Sequence, residues 1–458
     1  MKKFFAAAIA AIVGLIAPSA KSAAPTTVKH PDWSQNAVIY EVNLRQFTPE
    51  GTLQAFARQL PRLKQLGVDI LWFMPVHPIS EVNRKGTLGS YYAVRDYRAI
   101  NPEFGTLDDF RFVTETAHDL GMKVIIDWVP NHTGCDNAWV KEHPEYYARN
   151  DKGEMFGPFD WTDVYKLDYS NPATRRAMTD ALIFWLKDMG IDGFRCDVAG
   201  QVPVDYWDEA TAELRAIRPD MFMLAEASEP PLQANAFDMG YNWPMKDLFS
   251  AIAATSGQYT FAKEGEKPRN FPEKHAADIA RLVAQQDEEY PSGTIMMNMI
   301  TNHDLNSWEG TEFERLGRLA DAFAVLSWTL PGMPLIYTGQ EVGLNRALEF
   351  FEKDTAPDFK PNRFTELYTL LNKLKHSRPE LAAPPTGGNF KVWKGTPEDI
   401  LVFSRTKDIY STVVGVNLGT ETIEFDAVNP GVDLSSSYYK NRIPKRLAPG
   451  EYFIISTE

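Results

Sequence analysis

Cysteine is scarce in this sequence. Only 2 of the 458 residues are cysteine, Cys135 and Cys196, which is too few for a fold held together by disulfides. Cys196 stands between Arg195 and Asp197 on a predicted buried strand, so we expect two separate thiols and no disulfide. No spacing of cysteine and histidine is typical of a zinc site.

Positive charge and long apolar runs are also in short supply. The net charge is −14, and about −17 without the three lysines of residues 1–24. An acidic surface repels phosphate backbones, so nucleic acid is not expected as a partner. No run beyond the N-terminus is long and apolar enough to cross a bilayer.

The N-terminus has the pattern of a signal peptide. Lys2 and Lys3 precede an apolar run over 4–17, which is too short for a membrane span, and small residues follow as far as Ala24. We predict a signal peptide over 1–24, cleaved near Ala23 or Ala24. No cysteine lies at that junction, so a lipid anchor is not indicated. The mature protein is expected to be soluble and either periplasmic or secreted.

After residue 36, strand patterns alternate with helix patterns. Eight strands are predicted, at 38–44, 70–75, 123–129, within 190–198, and at 221–227, 237–240, 294–304 and 334–341. Helices are predicted at 56–67, 106–121, 173–190, 204–217, 317–330 and 363–378. Parallel strands need long connections, so eight such units predict an α/β fold of the (β/α)8 TIM-barrel type. An open doubly wound sheet is the alternative, but its glycine-rich phosphate turn is missing.

Two regions depart from this alternation. Residues 132–170, after the third strand, are too long for a simple loop and predict a small insertion subdomain. Short strands separated by turn residues fill 386–458 and predict a C-terminal antiparallel β-sandwich. The barrel would then comprise 25–131 and 171–385.

Polar residues follow four of the predicted strands. Because the active site of such a barrel forms at the C-terminal ends of its strands, we expect these side chains to converge on one pocket. They are Asp127, Asn131 and His132 after the third strand, Arg195 and Asp197 after the fourth, Glu226 after the fifth, and Asn302, His303 and Asp304 after the seventh.

Arg195 and Asp197 are two residues apart, so on a strand they face the same side. The guanidinium is then placed to keep Asp197 ionised, although a purely structural ion pair would produce the same pattern. Glu226 follows apolar residues, which raise the pKa of a carboxyl and suit it to a general acid. A charged nucleophile and a protonated acid, about 5–5.5 Å apart, are the parts of a retaining glycoside hydrolase.

Several blocks occur in order along the chain. DWVPNH (127–132), GFRCDVAG (193–200), the strand of Glu226 and NHD (302–304) closely resemble the conserved blocks of glycoside hydrolase family 13, the α-amylase family. GVDILWFMPV (67–76), SYYAVRDY (90–97) and GMPLIYTGQE (332–341) extend the resemblance over essentially the whole mature chain.

The resemblance implies roles for the matching residues. Asp197 would be the nucleophile, Glu226 the general acid and base, and Asp304 a ligand of the sugar hydroxyls. Asp127 would be a structural member of its block.

A second set of residues would bind the sugar in the cleaved-bond subsite. Arg195 would orient Asp197, and His132 and His303 would donate hydrogen bonds to the sugar. Tyr92 would stack on the sugar's face, with Tyr91 as the alternative.

The chain departs from the family pattern at two places. Gly200 and Gln201 stand where many α-amylases have a lysine and a histidine that serve product-side binding and calcium. Lys166 stands at the position of a calcium-associated aspartate, and an ammonium cannot ligate calcium. We therefore expect the calcium that the residue matching Asn131 helps to hold in the family to be absent, with no other metal or cofactor.

Together with the signal-peptide pattern, the resemblance implies an exported retaining hydrolase acting on α-1,4-linked glucans such as starch and maltodextrins. A transglycosylase of the same family or an α-1,6-acting hydrolase would use the same residues. A noncatalytic glucan-binding protein is the third hypothesis, and the presence of all three carboxyl residues argues against it. Trp139, Trp161 and Trp308 would either stack on distal sugars or pack internally.

Overall fold

Eight parallel strands close into a barrel in the computed structural model, which describes residues 25–428 and 443–457. The predicted signal peptide over 1–24 lies outside the described residues. Neighbouring strands pair in the order 1-8-7-6-5-4-3-2, and strand 1 closes the barrel by pairing Ile39 with Leu335 of strand 8. This confirms the predicted TIM barrel and excludes the open sheet. The barrel strands are Ile39–Val42, Ile70–Phe73, Lys123–Trp128, Gly193–Cys196, Phe222–Ala225, Met239–Tyr241, Ile295–Asn298 and Met333–Tyr337, numbered 1 to 8 below.

Along each strand, one residue faces the barrel interior and the next faces the surrounding helices. Ile125, Leu224 and Met297 belong to the apolar cluster inside the barrel. Cys196 belongs to the larger cluster between strands and helices, so its neighbour Arg195 points inward. Both cysteines are free and buried, as expected.

Strand 4 begins at a glycine for a steric reason. A Cβ on Gly193 would lie 1.8 Å from the carbonyl oxygen of Phe222, and the backbone φ there is +154°. Only glycine allows strands 4 and 5 to approach this closely, and these two strands carry Asp197 and Glu226.

Helices surround the barrel, and one of them begins at the N-cap predicted from the sequence. Thr106 forms a capping box with Asp109 at the start of one of them. The α-helices are Leu44–Phe47, Leu53–Ala57, Leu60–Leu66, Leu107–Asp119, Trp139–Glu142, Pro172–Lys187, Val204–Ile217, Leu232–Asn235, Trp243–Thr255, Ala276–Glu289, Glu312–Leu316, Ala320–Thr329 and Arg363–Ser377.

Two of the longer helices were not anticipated from the sequence. Trp243–Thr255 and Ala276–Glu289 both lie between strands 6 and 7. The helix expected over 317–330 is found as Ala320–Thr329, after a 3-10 turn at Gly317–Leu319. Gly317, with φ +54°, separates it from the short preceding helix Glu312–Leu316.

The two departures from the barrel pattern are small β structures. In the insertion, His132–Gly134 pairs antiparallel with Val164–Lys166. At the C-terminus, Asn389–Val392, Ile400–Lys407, Tyr410–Asn417 and Tyr452–Ser456 form a four-stranded antiparallel sheet, and Ile423–Glu424 pairs with Arg446–Leu447. The exact domain boundaries stay a prediction. Within the described residues, no helix has the length and apolar character needed to span a membrane.

Candidate active site

One buried guanidinium lies at the centre of the carboxyl groups. Nη1 of Arg195 donates to Oδ1 of Asp127 at 2.8 Å and to Oδ1 of Asp197 at 3.2 Å. Its Nη2 lies 2.9 Å from Oε1 of Glu226. Nε of Arg195 donates to the hydroxyl of Tyr241 at 3.1 Å. A single cation therefore gathers three carboxyl groups from strands 3, 4 and 5.

Strand register explains this meeting. Arg195 pairs with Asp127 of strand 3 and with Leu224 of strand 5. Asp197 and Glu226 each lie two residues further along, so they are neighbours on adjacent strands and face the same side as Arg195 and Leu224. Asp197 and Glu226 come together as expected at neighbouring strand ends.

The backbone turns sharply straight after Asp197. Val198 adopts φ +37°, a left-handed conformation that is unusual for a β-branched residue. In this conformation its N–H donates to Oε2 of Glu226 at 2.7 Å. Such strain persists where the surrounding structure imposes it, and here it fixes Glu226 relative to Asp197.

The electrostatics correct one sequence-based expectation. Arg195 lowers the pKa of Asp197, but burial and the nearby carboxylate of Glu226 raise it well above its usual range. Burial likewise raises the pKa of Asp127 to about 6, against the effect of Arg195. One guanidinium is divided among three carboxyl groups, and its lowering of the Asp197 pKa is smaller than the raising effect of burial.

A second group of residues is joined to the first through Tyr92. The hydroxyl of Tyr92 donates to Oδ2 of Asp127 at 3.0 Å and shares a hydrogen bond of 2.8 Å with Nε2 of His303. The same Nε2 lies 3.3 Å from Oδ2 of Asp304. On its other side, Nδ1 of His303 is hydrogen-bonded to Glu41. The Arg195 guanidinium lies 5.8 Å from the centre of the Tyr92 ring.

The remaining predicted residues occupy distinct places. Tyr92 is half-buried at the site, whereas Tyr91 is 1% exposed and donates its hydroxyl to Asn43, so the alternative assignment is not supported by position. His132 is buried, with its ring 5.2 Å from that of Trp161. Burial lowers the pKa of His132 to about 3, so this imidazole is neutral.

The two other tryptophans differ in position. Trp139 packs against Tyr97 and Tyr146 inside the protein. Trp308 contacts Phe350 and Phe351 beside the site.

Sequence reasoning missed Glu41, Trp72 and Tyr241. Glu41 is fully buried on strand 1 and holds His303, while Trp72 donates to Asp127 at 3.2 Å. A signal was available for Glu41, because a lone carboxylate in the apolar run VIYEVNL is as unusual as Arg195 in its own strand. Trp72 and Tyr241 gave no such signal, since aromatic residues in strands are usually core.

The buried histidine His303 should titrate far from its ordinary range. Burial alone would lower its pKa, but the carboxylates of Asp304 and Glu41 raise it to about 9. A raised native pKa stabilises the fold fully below the unfolded value of about 6.5, and this contribution, on the order of 3 kcal/mol, is lost as pH rises through about 9.

We expect NMR titration of labelled histidine to place the His303 midpoint near 9. Glu41→Gln should lower that midpoint by roughly 1–3 units, because it removes an adjacent negative charge. His132, which is already neutral, serves as the internal control and should not titrate above about pH 5. A His303 midpoint near 6.5, or one insensitive to Glu41→Gln, contradicts this assignment.

The residues present do not fit the calcium ion of the α-amylase family. Lys166 pairs in register with His132, which follows Asn131 in the chain. At this position the chain therefore has an ammonium group where the family has a carboxylate that helps to bind calcium. The Asn131 side-chain amide lies 3.3 Å from Nδ1 of His132. In the part of the chain that the structure describes, no three His, Cys, Asp or Glu side chains are gathered to hold a metal.

We predict that chelation leaves stability and activity unchanged. Protein dialysed against excess EDTA should retain less than about 0.1 calcium per chain by elemental analysis, with the same melting temperature as untreated protein. One tightly retained calcium that is lost on Asn131→Ala substitution would overturn this prediction.

The barrel and its cluster of carboxyl groups define the chain as a glycoside hydrolase of the TIM-barrel class. The chain belongs to the alpha-amylase family: the family model described as "Alpha amylase, catalytic domain" matches residues 21–165 and 149–366.

Individual relatives agree with this family. Alpha-amylase MalA from Haloarcula japonica is 28% identical over 428 residues, covering 90% of this chain and 60% of that protein. A trehalose synthase from Pimelobacter sp. is 27% identical over 417 residues, covering 73% of this chain and 71% of that protein. The crystal structure of an alpha-amylase from Lactobacillus plantarum superposes with a TM-score of 0.78 at 29% identity, covering 93% of this chain and all of that one.

The chain spans 60% of the length of the Haloarcula relative. Family membership is therefore shown for the catalytic domain, whereas the activity of the whole protein is a proposal.

Proposed function

We propose that this protein hydrolyses α-1,4 bonds of starch-derived glucans with retention of the anomeric configuration. The observation that carries the proposal is the buried Arg195, which holds Asp197 and Glu226 from adjacent strands against one another. Two carboxyl groups so placed match the needs of a retaining mechanism, in which one attacks and the other transfers a proton.

In the first step, an oxygen of Asp197 attacks the anomeric carbon as the bond to the leaving sugar oxygen breaks. Glu226 gives its proton to that oxygen, so the leaving chain departs as a neutral alcohol. This step requires Glu226 to carry a proton and Asp197 to be a carboxylate when substrate is bound. The Arg195 guanidinium then stabilises the carboxylate of Asp197.

In the second step, water attacks the anomeric carbon and breaks the ester to Asp197. Glu226, now a carboxylate, accepts the water proton and is returned to its starting form. Asp304 and the protonated His303 lie together on the side of Tyr92, where they would hold the hydroxyls of the reacting sugar.

The test is proton NMR of the first products released from maltoheptaose. Retention predicts that the α-anomer of the new reducing end forms first and then mutarotates. Initial release of the β-anomer contradicts the proposed roles of Asp197 and Glu226.

A transglycosylase remains the second candidate, since the same ester can be attacked by a sugar hydroxyl. The matched relative from Pimelobacter, a trehalose synthase, supports keeping this candidate. Products longer than the starting oligosaccharide at high substrate concentration would favour it. The noncatalytic alternative is disfavoured, because a binding protein has no need to bury three carboxyl groups around one arginine.

We also propose export to the periplasm or medium, on the basis of the signal-peptide pattern in residues 1–24. Mass spectrometry of the mature N-terminus tests this, with cleavage near Ala23 or Ala24 expected.

A further inference from the structure

A segment over 345–358, here called the strap, links barrel strand 8 to the last helix of the barrel. Near its start, Leu348 donates its N–H to the side chain of Asn306, which in turn donates to the carbonyl of Arg346. Asn306 follows strand 7. The strap then contacts the segments that follow strands 1 and 2, so it borders the active-site residues along the ends of strands 7, 8, 1 and 2.

A buried glutamine fixes the middle of the strap. Nε2 of Gln46 donates to the carbonyls of Glu349 at 2.7 Å and Glu352 at 2.8 Å. Its Oε1 accepts the N–H of Asp354 at 2.6 Å. Gln46 is completely buried, and its side chain is bonded to the strap through both its oxygen and its nitrogen.

A buried arginine provides the second attachment. Nη1 of Arg45 donates to the carbonyls of Phe350 at 3.2 Å and Gly89 at 3.1 Å, and its Nη2 donates to that of Leu88 at 3.3 Å. Lys353 adds a bond of 2.8 Å from Nζ to the carbonyl of Thr48. Hydrogen bonds from charged donors are stronger than those from neutral donors, so the strap is a fixed wall.

These attachments hold Phe350 beside Tyr92, the residue on which the reacting sugar would stack. The Phe350 ring is nearly parallel to that of Tyr92, with 6.4 Å between ring centres and 10° between planes. It meets Tyr91 edge-on at 5.3 Å and Trp308 at 5.2 Å. Phe350 is half-buried.

The barrel order shows which end of the substrate meets this wall. The leaving chain must lie on the side of its proton donor, Glu226, which follows strand 5. In a closed barrel of eight strands, strand 1 lies opposite strand 5. The non-reducing part of the substrate therefore points toward strands 8, 1 and 2, which are the ones the strap crosses.

We propose that the strap, with Phe350 as the specificity-determining residue, ends the sugar-binding cleft just beyond Tyr92. The protein would then attack α-glucans from their non-reducing ends and release short products, because an internal segment would have to pass through Phe350. This inference rests on the proposed function, specifically on Glu226 as the proton donor.

The test uses two maltoheptaosides that differ only at the non-reducing glucose, where an acetal joins O4 and O6 in one of them. We expect kcat/KM for the blocked substrate to be lower by on the order of 100-fold, followed as loss of starting material by chromatography. Equal cleavage of both substrates overturns the inference and leaves the proposed hydrolysis intact. Cleavage of neither overturns the proposed function itself.

Phe350→Ala should remove the obstruction at the end of the cleft. The ratio of kcat/KM for the unblocked substrate to kcat/KM for the blocked one should then move at least about 10-fold closer to one. Phe112→Ala is the matched control, since Phe112 is 55% exposed on a helix outside the barrel, and it should leave the ratio unchanged. Phe350→Leu serves if the alanine variant does not fold. A folded Phe350 variant with the wild-type ratio contradicts the role given to this residue.

Discussion

Replacing Asp197 by asparagine is expected to lower kcat on maltoheptaose by at least roughly 10⁴-fold. The amide nitrogen cannot form the covalent ester, and the amide oxygen is a poor nucleophile. Substrate binding should change far less, because Arg195 keeps its other carboxyl partners, Asp127 and Glu226. Steady-state kinetics with a direct binding measurement separate the two effects.

Asp108→Asn is the matched control for this substitution. Asp108 lies on an outer helix with its side chain 89% exposed, so the same chemical change should leave kcat unaltered. Activity of Asp197→Asn within tenfold of wild type would remove Asp197 from the mechanism.

Replacing Glu226 by glutamine should have the second-largest effect, and its size should depend on the leaving group. For a sugar leaving group, which needs a proton, we expect kcat/KM to fall by roughly 10²–10⁴-fold. For a glycosyl fluoride, whose leaving group needs little protonation, formation of the ester should slow far less. Burst kinetics then report accumulation of the ester, because the base for the second step is also lost.

Glu209→Gln provides the comparison, since Glu209 is 68% exposed and pairs with Arg175 on the outer surface. It should behave as wild type on both substrates. An equal loss on both substrates in Glu226→Gln would show that Glu226 acts by position and charge and does not transfer a proton.

The barrel could be predicted from the sequence because its signals are local. Each barrel strand is a short apolar run, and some helices begin at a cap that the sequence shows, as at Thr106. Helix Trp243–Thr255 has an N-cap at Asn242 but no helical period, since residues on most of its faces are buried and no polar stripe is present.

Much of the site was also visible before the structure. Arg195 and Asp197 were recognisable in the sequence as charged residues within an apolar strand, and their two-residue spacing placed them on the same side of that strand. The sharing of Arg195 among Asp127, Asp197 and Glu226 was not visible, because it depends on the register between three strands. That register changes the electrostatic conclusion, since burial raises the pKa of Asp197 more than one shared cation lowers it.

The strap was beyond sequence reasoning for a similar reason. Its path is determined by Arg45 and Gln46, which lie about 300 positions away in the chain, and no local pattern links them to residues 345–358. Glu41 was predictable in part. Its burial could be inferred from the apolar run around it, but its hydrogen bond to His303 could not.

The most direct test of the account is to trap the proposed ester. Incubation with a 5-fluoro glycosyl fluoride of α-configuration should inactivate the enzyme, and mass spectrometry of the digested protein should find one sugar on the peptide containing Asp197. A label on Asp127, Glu226 or Asp304, or an active enzyme that releases the β-anomer and forms no adduct, would contradict it.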